Sequence, residues 1–180
     1  MKKNKEILIG VTGGISAYKA CELIRILRKS GYGVRAAMTA NAAKFVTPLT
    51  FRTLTARPVA MEMFDDQIHW EPEHIAIADQ MDLVAVVPAT ANFIAKLANG
   101  LCDEILSCVI TATKAKVLIA PAMNDNMYEH PTVKENLKKL KSFGYTIVAP
   151  VEGELACGRV GVGHLAPVES IAGQIEKLLK

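Results

Sequence analysis

Residues 6–39 read EILIGVTGGISAYKACELIRILRKSGYGVRAAMT, and this stretch decides the fold. Glu6 to Val11 is short, apolar and rich in branched side chains, the mark of a buried strand. Gly13-Gly14 breaks it. Ala20, Leu23, Ile24 and Leu27 then recur at helical spacing, with Lys19, Glu22, Arg25 and Lys29 largely on the opposite face. Ser30-Gly31 stops that helix, and Gly33 to Thr39 supplies a second apolar strand. A strand, helix and strand in this order predict parallel pairing through a right-handed crossover.

The alternation continues outward from this unit. Asp82 to Val87, Lys116 to Ala120 and Tyr145 to Val148 read as strands. Asn92 to Ala98, Asp103 to Ala112, Pro131 to Ser142 and Val168 to Lys180 read as helices. The unbroken apolar run Leu83-Val84-Ala85-Val86-Val87 implies a strand buried on both faces, so helices must cover both sides of the sheet. The expected fold is α/β, a three-layer doubly wound parallel sheet, as one domain over residues 1–180 with no repeats. The strand order is not readable. Val151 to Pro167 is glycine-rich without periodicity, and Ala156 to Pro167 within it reads as a mobile flap.

Composition limits the function. The chain has 180 residues, 51% hydrophobic and 22% charged, which excludes a disordered or fibrous protein. Its net charge of +3 is matched by Lys2, Lys3 and Lys5, leaving a near-neutral body without the basic face a nucleic-acid binder needs. The longest stretch free of Lys, Arg, Asp and Glu runs from Leu83 to Ala95, too short to span a membrane. The start lacks the long apolar segment of a signal peptide, so a cytoplasmic location is expected. Cys21, Cys102, Cys108 and Cys157 form no C-x-x-C pair, and the first three read as small core residues.

In open sheets of this kind, ligands sit beyond the carboxyl ends of the strands. Four loops therefore matter. Thr12-Gly13-Gly14-Ile15-Ser16 opens the first helix, where close backbone approach and free N–H groups favour a phosphate. It carries neither a P-loop lysine nor G-x-G-x-x-G spacing, which favours a mononucleotide over NAD. Thr39 to Asn41 follows the second strand, and Pro88 to Asn92 follows the most hydrophobic one, with Thr90 placed to cap a helix. Pro121 to Met127 offers two methionines and two amides, either a surface for a flat heterocycle or the core side of a short helix. His74 follows Glu71-Pro72-Glu73 and is the histidine best placed to act as a base, although capping a helix start would also account for it. His69, His130 and His164 lack metal-ligand spacing, so no metal is assigned. Cys157, inside the flap, has the chemistry of a proton donor or nucleophile.

Taken together, Thr12 to Ser16, His74, Pro88 to Ser107, Pro121-Ala122-Met123-Asn124 with Met127, and Ala156-Cys157-Gly158 resemble the homo-oligomeric flavin-containing cysteine decarboxylases. The similarity runs in order from Ile7 to about Leu179. The chain departs from the family pattern at Tyr128, Arg159 and His164. The resemblance implies a Rossmann/flavodoxin-like flavoprotein with FMN as cofactor. Gly13, Gly14, Ile15 and Ser16 would contact the FMN phosphate, with Thr39 and Asn41 nearby. Thr90, Ala91, Asn92, Phe93, Ser107, Ala122 and Met123 would cradle ribityl and ring.

The same resemblance assigns His74 as active-site base, Asn124 as holder of the substrate carboxylate and Cys157 as proton donor. Asn124, Ala156 and Met127 are the implied substrate contacts. The implied reaction converts 4'-phosphopantothenoylcysteine to 4'-phosphopantetheine and CO2 in coenzyme A biosynthesis. The thiol is oxidised to a thioaldehyde, CO2 departs, and the ene-thiolate is reduced again. The family forms homo-oligomers, a trimer or a trimer-based dodecamer, with FMN bound between subunits. A separate ligase is expected to supply the substrate. Two other readings fit the sequence: a peptidyl-cysteine oxidative decarboxylase, and a non-catalytic flavin-fold regulatory subunit. A flavin prenyltransferase fits less well, because the Pro-Ala-Met-Asn and Ala-Cys-Gly segments favour a decarboxylase.

Overall fold

A computed structural model describes residues 5–63, 72–154 and 158–180. Strand β1 spans Glu6–Val11, and a 3-10 turn at Ile15–Tyr18 leads into helix α1, Lys19–Lys29. Strand β2 (Gly33–Met38), helix α2 (Pro48–Thr55) and strand β3 (Val59–Ala60) follow. Helix α3 (Glu73–Gln80) precedes strand β4 (Leu83–Ala89), and helices α4 (Ala91–Ala98) and α5 (Ile105–Ala112) lead to strand β5 (Lys116–Pro121). Helices α6 (Asp125–Glu129) and α7 (Pro131–Ser142) come next, then strands β6 (Thr146–Ile147), β7 (Val151–Glu154) and β8 (Val160–His164), and helix α8 (Val168–Leu179).

The main sheet is parallel with strand order β3-β2-β1-β4-β5-β6. From β1 the chain builds outward through β2 and β3, then crosses back to β4 and builds the other way. The reversal between β1 and β4 opens a crevice at the carboxyl ends of these strands.

Alternation along the strands explains the two-sided burial. Ile7, Ile9 and Val11 of β1 pack with Leu23, Ile24 and Leu27 of α1 and Ile171 and Ile175 of α8 on one face. Leu8 joins Val84, Val86, Phe93, Ile94, Leu106 and Leu140 on the other. Each such side chain contributes about 1.5–3 kcal/mol when fully buried, so a polar substitution at either layer would be costly. Among the described residues no helix is long and apolar enough to cross a membrane.

Two expectations need correction. Among the described residues of the glycine-rich segment, regular structure is present: β7 and β8 form an antiparallel ribbon, so the expected flap carries a strand over Val160–His164, and Leu165 and Ala166 beyond it are buried in the core. Gly153, Gly161 and Gly163 hide the alternation that would mark strands. Cys102 is exposed rather than a core residue, while Cys21 and Cys108 are half-buried. Cys157 and Ala156 lie outside the described residues, as does His69.

Candidate active site

Thr12 ties the crevice together. Its backbone N–H lies 3.4 Å from the Pro88 carbonyl, and its fully buried hydroxyl donates to the same oxygen at 2.8 Å. That hydroxyl also accepts from the Thr90 N–H at 3.0 Å. The end of β1 is thereby fixed against the end of β4. Thr90 then caps α4, accepting from the Phe93 N–H at 3.3 Å, so a helix N-terminus faces the crevice.

Two cavities open here and share Gly13, Thr90, Ala91 and Met127. The first, about 670 Å3, is lined by Gly13 to Ser16, Ala122, Met123 and Asn124, with Lys19, Glu154 and His164 on its far wall. The second, about 510 Å3, takes in Thr39, Asn41, Asn92 and Phe93, and is closed by Lys96, Asp103 and Glu104.

The donor groups suit a phosphate. The first N–H groups of the 3-10 turn have no partner within it. The Thr39 hydroxyl accepts from the Ala42 N–H at 3.3 Å and keeps its own proton to donate. A Cβ at Gly13 would lie 2.4 Å from the Asn41 Cβ, so these two loops close on each other as only glycine allows. Between them Ala91, Ala122, Met123 and Met127 offer a small-residue, polarizable surface suited to a flat ring. The residues present fit a phosphate-bearing heterocycle such as FMN.

Asn124 caps α6, its side-chain Oδ1 accepting from the Asn126 N–H at 3.0 Å. An N–H can only donate, so Oδ1 is the acceptor and the amide's other end is its NH2 group. The ribbon is held over this loop. The Met123 N–H donates to the Gly163 carbonyl at 3.0 Å, and a Cβ at Gly163 would lie 2.1 Å from the Met123 carbonyl oxygen. Arg159 adds an ion pair to Asp125 at 2.8 Å.

Of the residues expected from the sequence, Gly13, Gly14, Ile15, Ser16, Thr39, Asn41, Thr90, Ala91, Asn92, Phe93, Ala122, Met123, Asn124 and Met127 all line these cavities. Ser107 does not. It is fully buried, its hydroxyl donating to the Glu104 carbonyl at 2.8 Å and thereby shaping the start of α5. His74 sits half-buried in the first turn of α3 and lines neither cavity of its own chain.

Sequence reasoning missed several groups. Lys96 binds Asp103 at 2.9 Å and Glu104 at 2.8 Å, which raises the Lys96 ammonium above its ordinary value, chiefly through Glu104, and lowers the Asp103 carboxyl. The helical spacing places Lys19 largely on the outer face of α1, yet it lines the larger cavity and meets His164. Lys19 opens α1, directly after the turn begun by the glycine loop, and that placement was the available signal.

Comparisons with known proteins converge on one group. A family model described as Flavoprotein matches residues 1–180. The chain is 46% identical over 177 residues to the coenzyme A biosynthesis bifunctional protein CoaBC of Bacillus subtilis (strain 168), covering 98% of this chain and 44% of that protein. It thus spans less than half the length of such bifunctional relatives. It is 42% identical over 177 residues to a probable phosphopantothenoylcysteine decarboxylase of Streptococcus mutans serotype c, covering 97% of this chain and 99% of that one.

Among solved structures, a PPC decarboxylase cysteine-to-serine mutant complexed with pantothenoylaminoethenethiol superposes with a TM-score of 0.86 at 26% identity, covering 97% of this chain and 98% of that one. The FMN-dependent cysteine decarboxylase SpaF gives 0.84 at 28% identity, covering 98% of both chains.

Proposed function

Because the chain belongs to the flavoprotein family, we propose that it is an FMN-dependent phosphopantothenoylcysteine decarboxylase acting in coenzyme A biosynthesis. The observation that carries this reading is the joined crevice at the β1–β4 reversal, where a phosphate-suited loop, a small-residue surface and the Asn124 amide share one cavity. The similarity to a probable phosphopantothenoylcysteine decarboxylase along nearly its full length supports the choice of substrate.

FMN, held by Gly13 to Ser16, Thr39, Asn41, Thr90 to Phe93, Ala122 and Met123, would accept a hydride from the substrate and return it later in the same turnover. The chain's own residues do the rest. The Asn124 amide donates to the substrate carboxylate and orients it, its Oδ1 being pinned by the Asn126 N–H. A neutral amide stabilises that carboxylate less than a cation would, so departure of CO2 is less opposed. Met127 and Ala156 complete the contacts to substrate, and the ribbon over Met123 limits entry of water. His74 takes the thiol proton and Cys157 delivers the final one.

His74 lines neither of the two crevice cavities, while Ile15, Tyr18 and Met127 leave an exposed apolar rim around the crevice. Both features support a homo-oligomer, a trimer or a trimer-based dodecamer, in which His74 of one copy serves the crevice of another. A cytoplasmic location is part of this reading.

Incubating the FMN-loaded protein with phosphopantothenoylcysteine and weighing the product by mass spectrometry tests the assignment. Phosphopantetheine is expected. An ene-thiol product that never regains its two electrons would point instead to a one-way oxidative decarboxylase. Sedimentation of the FMN-bound protein as a monomer would remove the shared site.

A further inference from the structure

Lys19 and His164 are 145 positions apart in sequence, yet Nζ of the lysine lies 2.8 Å from Nε2 of the imidazole on the wall of the larger cavity. The imidazole's other nitrogen, Nδ1, is 3.2 Å from the Glu154 carbonyl. An ammonium can only donate and a carbonyl can only accept. His164 is therefore the neutral tautomer with its proton on Nδ1, and Nε2 receives one Lys19 proton. Two ammonium protons are not used in this contact.

Among the described residues, no carboxylate forms an ion pair with Lys19. Glu154, which also lines this cavity, is exposed and is not ion-paired with it. The pair thus gives the cavity an ammonium held in place by a neutral acceptor and, among the described residues, without an ion-paired carboxylate. A half-buried cation so oriented suits an anion that accepts several hydrogen bonds.

We propose that Lys19, oriented by His164, anchors the terminal phosphate of the substrate and makes the site selective for phosphorylated over unphosphorylated pantetheine derivatives. This inference rests on the function proposed above. The substrate carries two anions, and the chemistry separates them. A fixed cation beside the carboxylate would stabilise the ground state that must lose CO2, whereas the phosphate keeps its charge throughout and can be bound equally in ground and transition states.

The test measures dissociation constants of FMN-loaded protein for phosphopantetheine and pantetheine by calorimetry. Wild type should prefer the phosphorylated ligand, and Lys19→Met should lower that preference on the order of tenfold or more. Lys19→Arg and His164→Gln, which keep the charge and an acceptor respectively, should retain most of it. Thermal melting and FMN content confirm that each variant is folded. An unchanged preference in Lys19→Met overturns the proposal. A loss instead in the apoprotein's preference for FMN over riboflavin also overturns it, by assigning the lysine to the cofactor phosphate. Phosphate preference without turnover of phosphopantothenoylcysteine would uphold the subsite and refute the proposed reaction; turnover without phosphate preference would do the reverse.

Discussion

The Thr12 hydroxyl joins the end of β1 to the end of β4 across 76 and 78 positions of sequence: it donates to the Pro88 carbonyl at 2.8 Å and accepts from the Thr90 N–H at 3.0 Å. One buried side chain thus sets the spacing of the crevice and the entry of α4. Thr12→Val keeps the shape and removes both side-chain bonds, leaving the Thr90 N–H without this acceptor and the Pro88 carbonyl with the longer contact from the Thr12 backbone N–H. A loss of about 1–3 kcal/mol is expected, read as a lower urea midpoint with an unchanged slope, together with weaker FMN binding.

Asn124 caps α6, and under the proposed function it also holds the substrate carboxylate; substitution can separate the two. Asn124→Asp preserves an oxygen for the Asn126 N–H and so keeps the cap of α6, but places a negative charge against the substrate carboxylate. The variant should bind FMN and melt close to wild type, while decarboxylation falls by about 100-fold or more, a barrier increase near 3 kcal/mol. Steady-state release of CO2 measures it.

Gly163 touches the Met123 backbone so closely that any side chain must lift β8 from the loop beneath it. In Gly163→Ala the ribbon should become more susceptible to limited proteolysis and kcat/KM should drop, with FMN binding less affected. Equal cleavage rates in variant and wild type would show that the ribbon tolerates the methyl group.

These glycines also explain what the sequence concealed. The strands β1 and β4 and the helices α1 and α7 were legible because branched apolar runs and helical spacing persist over six or more residues. β7 and β8 were not, because the contacts that demand glycine at 161 and 163 come from Asp125 and Met123, far away in the chain. β3 has two residues and owes its identity to pairing with Ala36 and Ala37, a relation that no local pattern encodes. Most of the crevice was readable because its residues fall on loops that follow strands. Lys19 was not, because only the tertiary fold brings His164 to it.

Lys96 holds Asp103 and Glu104 across the turn between α4 and α5. Hydrogen bonding to Lys96 depresses the Asp103 carboxyl, so its contribution to stability is present above the ordinary aspartate value of about 3.9 and is lost as pH falls through the lower folded value. Carboxyl-carbon NMR should show Asp103 titrating below that value in the wild type and moving upward in Lys96→Met. The stability difference between the two proteins should shrink on acidification over the same range.

Burial pushes the Cys108 thiol up, as it does Cys21, while Cys102 is exposed. Alkylation by iodoacetamide at mildly alkaline pH, followed by peptide mapping, should therefore label Cys102 well before Cys108 and Cys21. The reverse order would contradict the packing of α5.

The account depends on electrons leaving the substrate before its carboxyl group does. Rapid anaerobic mixing of FMN-loaded protein with phosphopantothenoylcysteine, with simultaneous recording of oxidised-flavin absorbance and CO2, tests this directly. The predicted result is a transient loss of flavin absorbance that precedes CO2 release and then recovers. Release of CO2 with the flavin spectrum unchanged, or protein that takes up no FMN, would contradict it.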